Sequence, residues 1–131
     1  QKSLKEQFKK KVTITTSDVE IVSLDEKFVN KAVAFVEANI DNTNFGVEEL
    51  CREMGISRVY FYKKIVALTD KTPIEFIRHI RLKRAAELLK RSKLFVNEVA
   101  YQVGFNDPKY FSRCFKSEFG LTPREYQESK K

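Results

Sequence analysis

The chain has 131 residues and is 42% hydrophobic, enough for a packed core in one domain or two very small ones. Four Gly and three Pro are too few for a disordered or β-rich chain and point to helices, and no run of about 18 apolar residues is available to cross a membrane. A net charge of +7, with a pI near 9.4, favours an anionic partner such as nucleic acid.

The Lys-rich segment Gln1–Lys11 reads as the frayed end of an upstream helix. Val12–Thr16 and Val19–Val22 are rich in β-branched residues and read as extended. Residues 1–24 are therefore expected to be a linker from an upstream domain. The chain opens on Gln1 and its single Met is Met54, as expected of a piece of a longer polypeptide. Ser23-Leu24-Asp25-Glu26 has the form of a capping box and is expected to start the first helix. Phe28, Ala32, Phe35, Val36 and Ile40 follow at helical spacing, and Asp41–Phe45 reads as a polar connection. A second helix is expected over Val47–Met54, with Leu50 and Met54 inward and Gly55 ending it. Ser57 caps a third helix reaching about Leu68, whose inner stripe is Phe61, Ile65 and Leu68.

Thr72-Pro73-Ile74-Glu75 opens a long fourth helix to about Arg91, with a capping Thr, Pro at the first helical position and Glu at the third. Phe76, Ile77, Ile80, Leu82, Ala85, Leu88 and Leu89 are its apolar residues, and Arg78, Arg81, Lys83 and Arg84 are expected around its other side. A fifth helix spans about Val96–Val103, followed by a turn at Gly104. Asp107 caps a sixth, with Pro108 first, Phe111, Phe115 and Phe119 inward, and Gly120 at its end. Thr122-Pro123 opens a last helix carrying Tyr126.

The second half repeats the first. The run Val47 to Ile56 lies over Val96 to Phe105, matching apolar, acidic, small and Gly positions. After one inserted residue, Phe61 meets Phe111, Lys63 meets Arg113, Ile65 meets Phe115, and Thr72-Pro73 meets Thr122-Pro123. Two copies are too few for a solenoid and fit a duplicated helix–turn–helix unit. The expectation is an all-α fold of about seven helices: two homeodomain-like helix-turn-helix subdomains joined by a long central helix.

In such a unit the second helix enters the major groove of DNA. Opposite the inner stripe of the third helix lie Arg58, Val59, Tyr62, Lys63 and Val66. The repeat maps them onto Pro108, Lys109, Ser112, Arg113 and Lys116. Lys63, Lys109 and Arg113 can donate to guanine acceptors or to phosphates, Ser112 can donate or accept, and Val59 and the Tyr62 ring suit a thymine methyl. The candidate DNA-binding residues are thus Arg58, Val59, Tyr62, Lys63, Val66, Lys109, Ser112, Arg113 and Lys116. A basic protein-interaction module without direct DNA readout is the alternative. Cys51 and Cys114 read as small core residues suited to a reducing cytoplasm, and His79 stands alone in mid-helix. No nucleophile stands beside a base, so no enzymatic activity, cofactor or metal is expected of this chain.

The run from Ala100 through Gly104-Phe105, Asp107-Pro108, Tyr110-Phe111, Phe115-Lys116 and Gly120 to Thr122-Pro123 and Tyr126 closely resembles the signature of AraC/XylS-type transcription regulators. The resemblance covers residues 25–131 and implies a DNA-binding domain divided into a first helix-turn-helix unit (25–72), a connecting helix (73–92) and a second unit (93–131). It implies double-stranded DNA as partner, read in successive major grooves on one face, with RNA polymerase as a further partner in activation. Four positions depart from the family pattern. Gln127 stands where a basic residue usually follows the last aromatic, and Phe95 where helix five usually has a cap. Asp70 stands where the second unit has Gly120, and Gly46 replaces a usual Ser. The stretch Ser23 to Phe28, after a Lys-rich segment and a linker, looks like the output end of hybrid two-component regulators. That likeness implies a cytoplasmic activator controlled by a histidine kinase on the same, membrane-anchored parent, with oligomerisation through upstream domains.

Overall fold

The structure, a computed structural model, describes the backbone of residues 16–129 and the side chains of 24–129. The expected frayed helix of Gln1–Lys11 and the first part of the extended stretch lie outside the described residues. Among those described there are seven helices and no strand: α1 (Thr16–Ala38), α2 (Val47–Met54), α3 (Arg58–Thr69), α4 (Pro73–Arg91), α5 (Val96–Gln102), α6 (Pro108–Phe119) and α7 (Pro123–Glu128). None is long and apolar enough to cross a membrane.

The first helix corrects the sequence reading. It begins at Thr16, so Val19–Val22 is helical rather than extended and Ser23 does not open the helix. β-Branched residues cost only tenths of a kcal/mol each in a helix, and no Pro or Gly stands in the way. Asp25 is buried, and its carboxylate accepts a hydrogen bond from Lys64 Nζ of α3 at 2.8 Å. That bond is the leading reason the Lys64 ammonium is held above its ordinary range. The Asp25 side chain thus serves a tertiary contact between α1 and α3. The inner stripe of α1 is Val29, Ala32 and Val36, with Phe28 and Phe35 half-buried beside it.

The caps of the later helices follow the sequence closely. Thr72 Oγ1 accepts from Glu75 N–H at 3.3 Å while Glu75 Oε1 accepts from Thr72 N–H at 2.9 Å. Thr122 and Glu125 repeat the arrangement at α7. At α2 and α5 only the acidic half exists, because Gly46 and Phe95 offer no acceptor; Glu49 and Glu98 accept their backbone N–H groups at 2.9 and 2.8 Å. These backbone donors hold the carboxyl groups of Glu49, Glu75 and Glu125 below the ordinary carboxylate range.

Asp70 ends α3 in the left-handed conformation at φ 59°, where Gly120 ends α6 at φ 82°. A side chain there costs energy that glycine avoids. Asp70→Gly is therefore expected to raise unfolding stability by about 0.5–1 kcal/mol in urea denaturation; a loss of stability would mean the carboxylate contributes more than the backbone strain removes.

Two cores result, both built on α4. Phe76, Ile77 and Ile80 of its first half pack with Val29, Ala32, Val36, Leu50, Phe61 and Ile65. Leu82, Ala85, Ala86 and Leu89 of its second half pack with Val99, Val103, Phe105, Phe111 and Phe115. The two clusters share no buried residue. Between them lies Arg81, which the sequence places on the outer side of the helix and the structure buries to 6% exposure. Its Nη1 donates to the carbonyls of Ile40 (2.7 Å) and Val103 (2.8 Å), and its Nη2 to those of Asn42 (3.1 Å) and Phe45 (2.8 Å). The Asp41–Phe45 connection is accordingly less polar than expected, since Phe45 is buried in the first core.

Candidate nucleic-acid interface

Each unit presents its second helix after the same turn, but the two turn glycines answer different needs. Both have positive φ, 69° at Gly55 and 90° at Gly104. A Cβ at Gly55 would meet open space, whereas one at Gly104 would collide with the Arg81 guanidinium and the Ile40 carbonyl. The second turn therefore requires glycine for its neighbours as well as its backbone.

On α3, Arg58, Val59, Tyr62 and Lys63 are exposed, with Val59 64% open to solvent. Val66 is half-buried and packs against the first core, so it is a poorer candidate than its spacing suggests. On α6, Lys109, Arg113 and Lys116 are exposed and Ser112 is half-buried. Four of the α3 candidates, Arg58, Val59, Tyr62 and Lys63, line one concavity of about 550 Å³ together with Val47 and Ile74. Ile74, near the start of α4 and 64% exposed, was not singled out from the sequence. A second concavity of about 240 Å³ shares Val47 and Ile74 and continues to Arg78 and Tyr110. The surface between α3 and α6 is thus continuous.

Tyr110 is a further residue the sequence reading passed over. The Arg113 guanidinium lies 5.6 Å from its ring centroid, and its hydroxyl accepts from Arg78 Nη1 at 3.4 Å. The repeat offered the signal: Tyr110 falls on Tyr60, and both are exposed, at the starts of α6 and α3. His79 is structural in its contacts, with Nδ1 lying 2.9 Å from Glu118 Oε2 and joining α4 to α6. Gln127, at the position where a basic residue would meet a phosphate, donates instead to the Leu94 carbonyl at 2.9 Å. Cys51 is buried, and that burial pushes its thiol up; Cys114 is half-buried. Among the described residues no group of three or more His, Cys, Asp or Glu side chains converges as a metal site would require.

Comparison with known proteins extends the geometry. A family profile described as a helix-turn-helix domain matches residues 50–129. The chain is 47% identical over 124 residues to histidine kinase P4 of Formosa agariphila, covering 95% of this chain and 9% of that protein. It is 30% identical over 125 residues to the lactose operon transcription activator of Staphylococcus xylosus, covering 95% of this chain and 42% of that one. It therefore spans less than half the length of either relative. Among solved structures, the C-terminal domain of AraT, a response regulator from Geobacillus stearothermophilus, superposes with a TM-score of 0.71 at 28% identity, covering 77% of this chain and 84% of that chain. The DNA-binding domain of AdpA, a global transcriptional factor solved with a target DNA, gives a TM-score of 0.71 at 28% identity, covering 77% and 90%.

Proposed function

This chain belongs to the AraC-type helix-turn-helix family of DNA-binding transcription regulators, and we propose on that premise that α3 and α6 are its two reading helices. The observation that carries the reading is the duplicated placement of Val59 with Lys109, Tyr62 with Ser112 and Lys63 with Arg113 outside the two cores, all exposed except the half-buried Ser112, on units fixed to one helix. The pairs share position and differ in chemistry. Val59 and Tyr62 suit thymine methyl groups, while Lys109 and Arg113 suit guanine acceptors and phosphates. An asymmetric target follows, with its two halves roughly 34 Å apart along the duplex, one turn of DNA.

Within a longer protein the domain acts as the output end of a hybrid two-component regulator, and its outcome is activation. The supports are the high identity to one short part of a histidine kinase, the likeness to a response-regulator domain, and an activator among the relatives. Contacts to RNA polymerase, oligomerisation through upstream domains and attachment of the parent to a membrane belong to that whole-protein reading.

A footprint of the domain on its own upstream region tests the DNA reading. Two adjacent protected major-groove segments are expected, with affinity falling steeply as salt rises because bound phosphates release counterions. Protection of one segment would confine the reading to one unit, and the absence of any protection would favour the protein-interaction alternative. Arg113 gives a finer test. Arg113→Ala is expected to weaken binding to the preferred site by about 1–3 kcal/mol and to relax preference at one base pair. An equal loss on random duplex would reassign Arg113 to a phosphate.

A further inference from the structure

Between the reading helices lies a patch that neither helix-turn-helix unit supplies alone. It is lined by α4, by the start of α2 with Val47, by the second turn with Phe105 and by the start of α6 with Tyr110. Two guanidinium groups line it, Arg78 and Arg81, and no carboxylate does. Arg81 is committed to four backbone carbonyls. Among the described residues Arg78 makes no close ion pair; Glu75, one turn before it on α4, interacts with it electrostatically but does not line the concavity. Positive charge behind low-dielectric walls focuses its field into such a cleft and draws anions to it.

Arg78 is placed to meet the anion. It lies one helical turn beyond Ile74, which lines the concavity under α3, so it faces the side on which α3 and α6 are presented. The Tyr110 hydroxyl accepts from its Nη1 at 3.4 Å, a long bond that orients the guanidinium and leaves its other N–H groups to donate. The ring of the same tyrosine lies under the Arg113 guanidinium, so one residue orients a cation on each of two helices. When two reading helices occupy adjacent major grooves, the surface between them meets the sugar–phosphate backbone that separates those grooves.

We infer that Arg78, positioned by Tyr110, is a phosphate-binding residue that clamps the DNA backbone between the two reading helices. The inference rests on α3 and α6 being those helices. It gives a role to a cation lining a groove that no carboxylate lines, and it makes Arg78 a source of affinity without sequence preference.

The test measures binding of the wild-type domain, Arg78→Gln and Arg78→Lys to the preferred duplex and to a random duplex across 50–200 mM salt, with thermal melting to confirm folding. Arg78→Gln should flatten the slope of log affinity against log salt by about 1 on both duplexes, so that its loss over that range is about 3.5-fold smaller than wild type's. Arg78→Lys should restore the slope, since a phosphate accepts a point charge. An unchanged slope for a folded Arg78→Gln overturns the inference, as does a loss confined to the preferred duplex, which would make Arg78 a base reader. Failure of the wild-type domain to bind either duplex would instead overturn the reading of α3 and α6.

Discussion

Arg81→Ala is expected to lower unfolding stability by about 3–5 kcal/mol, the range for removing one partner of a buried charged network. The side chain lies 6% exposed and holds four carbonyls, three from the segment joining α1 to α2 and one from the end of α5. Burying a guanidinium is costly, and its desolvation pushes the Arg81 pKa down. Hydrogen bonds to a charged donor contribute about 1.5–3 kcal/mol each, and four of them outweigh that cost. Alanine removes the donors and leaves the carbonyls facing a cavity. Lysine should recover only part of the loss, because one ammonium cannot reach four acceptors as a planar fork does. In a domain of this size the melting temperature should fall by more than roughly 10 °C. The transition should also broaden, since Arg81 bonds backbone of both units. A variant melting within a few degrees of wild type would remove Arg81 from this role. Gly104→Ala attacks the same contact from the other side, since its Cβ would collide with the guanidinium at a backbone φ of 90°.

Phe115→Ala should cost about 3–5 kcal/mol, the range for truncating a fully buried phenylalanine. Phe115 is completely buried, with ring centroids of Phe119, Tyr126 and Phe111 at 4.6, 5.4 and 5.8 Å. No single neighbour can collapse into the space, because each ring is held by a different part of α6 or α7. The damage should be regional. The cluster around Phe115 shares no buried residue with the one around Phe61, so α5, α6 and α7 should lose hydrogen-exchange protection while α2 and α3 keep theirs. DNA binding should fall to what the first unit supplies. A folded variant that still protects both halves of the site would overturn this account of the second core.

The starts and outward faces of α3 and α6 are legible in the sequence because their signals are local. Ser57, Thr72, Asp107 and Thr122 accept backbone N–H groups at the four helix starts the sequence marks. Phe61, Ile65, Leu68, Phe111 and Phe115 are buried as their spacing requires, which turns Val59, Tyr62, Lys63, Lys109 and Arg113 outward. The start of α1 was not legible, because β-branched Val19, Ile21 and Val22 read as extended yet cost only tenths of a kcal/mol each within a helix. Ile74 and Arg78 looked like ordinary residues of a long helix until α2, α3 and α6 were arranged around them.

The sequence by itself determined the helices, their order, the duplication and the outward face of each second helix, since all depend on residues within a few turns of one another. The tertiary structure alone decided what becomes of the cations on α4. Arg78 and Arg81 stand three apart on one helix and both line the groove between α3 and α6, yet Arg78 stays half-exposed while Arg81 is buried and bound to four carbonyls. Their difference arises from backbone groups brought in from residues 40–45 and 103, and from a glycine at 104 that leaves room for the guanidinium. No spacing rule along α4 encodes that arrangement, because the acceptors that distinguish the two arginines come from elsewhere in the chain.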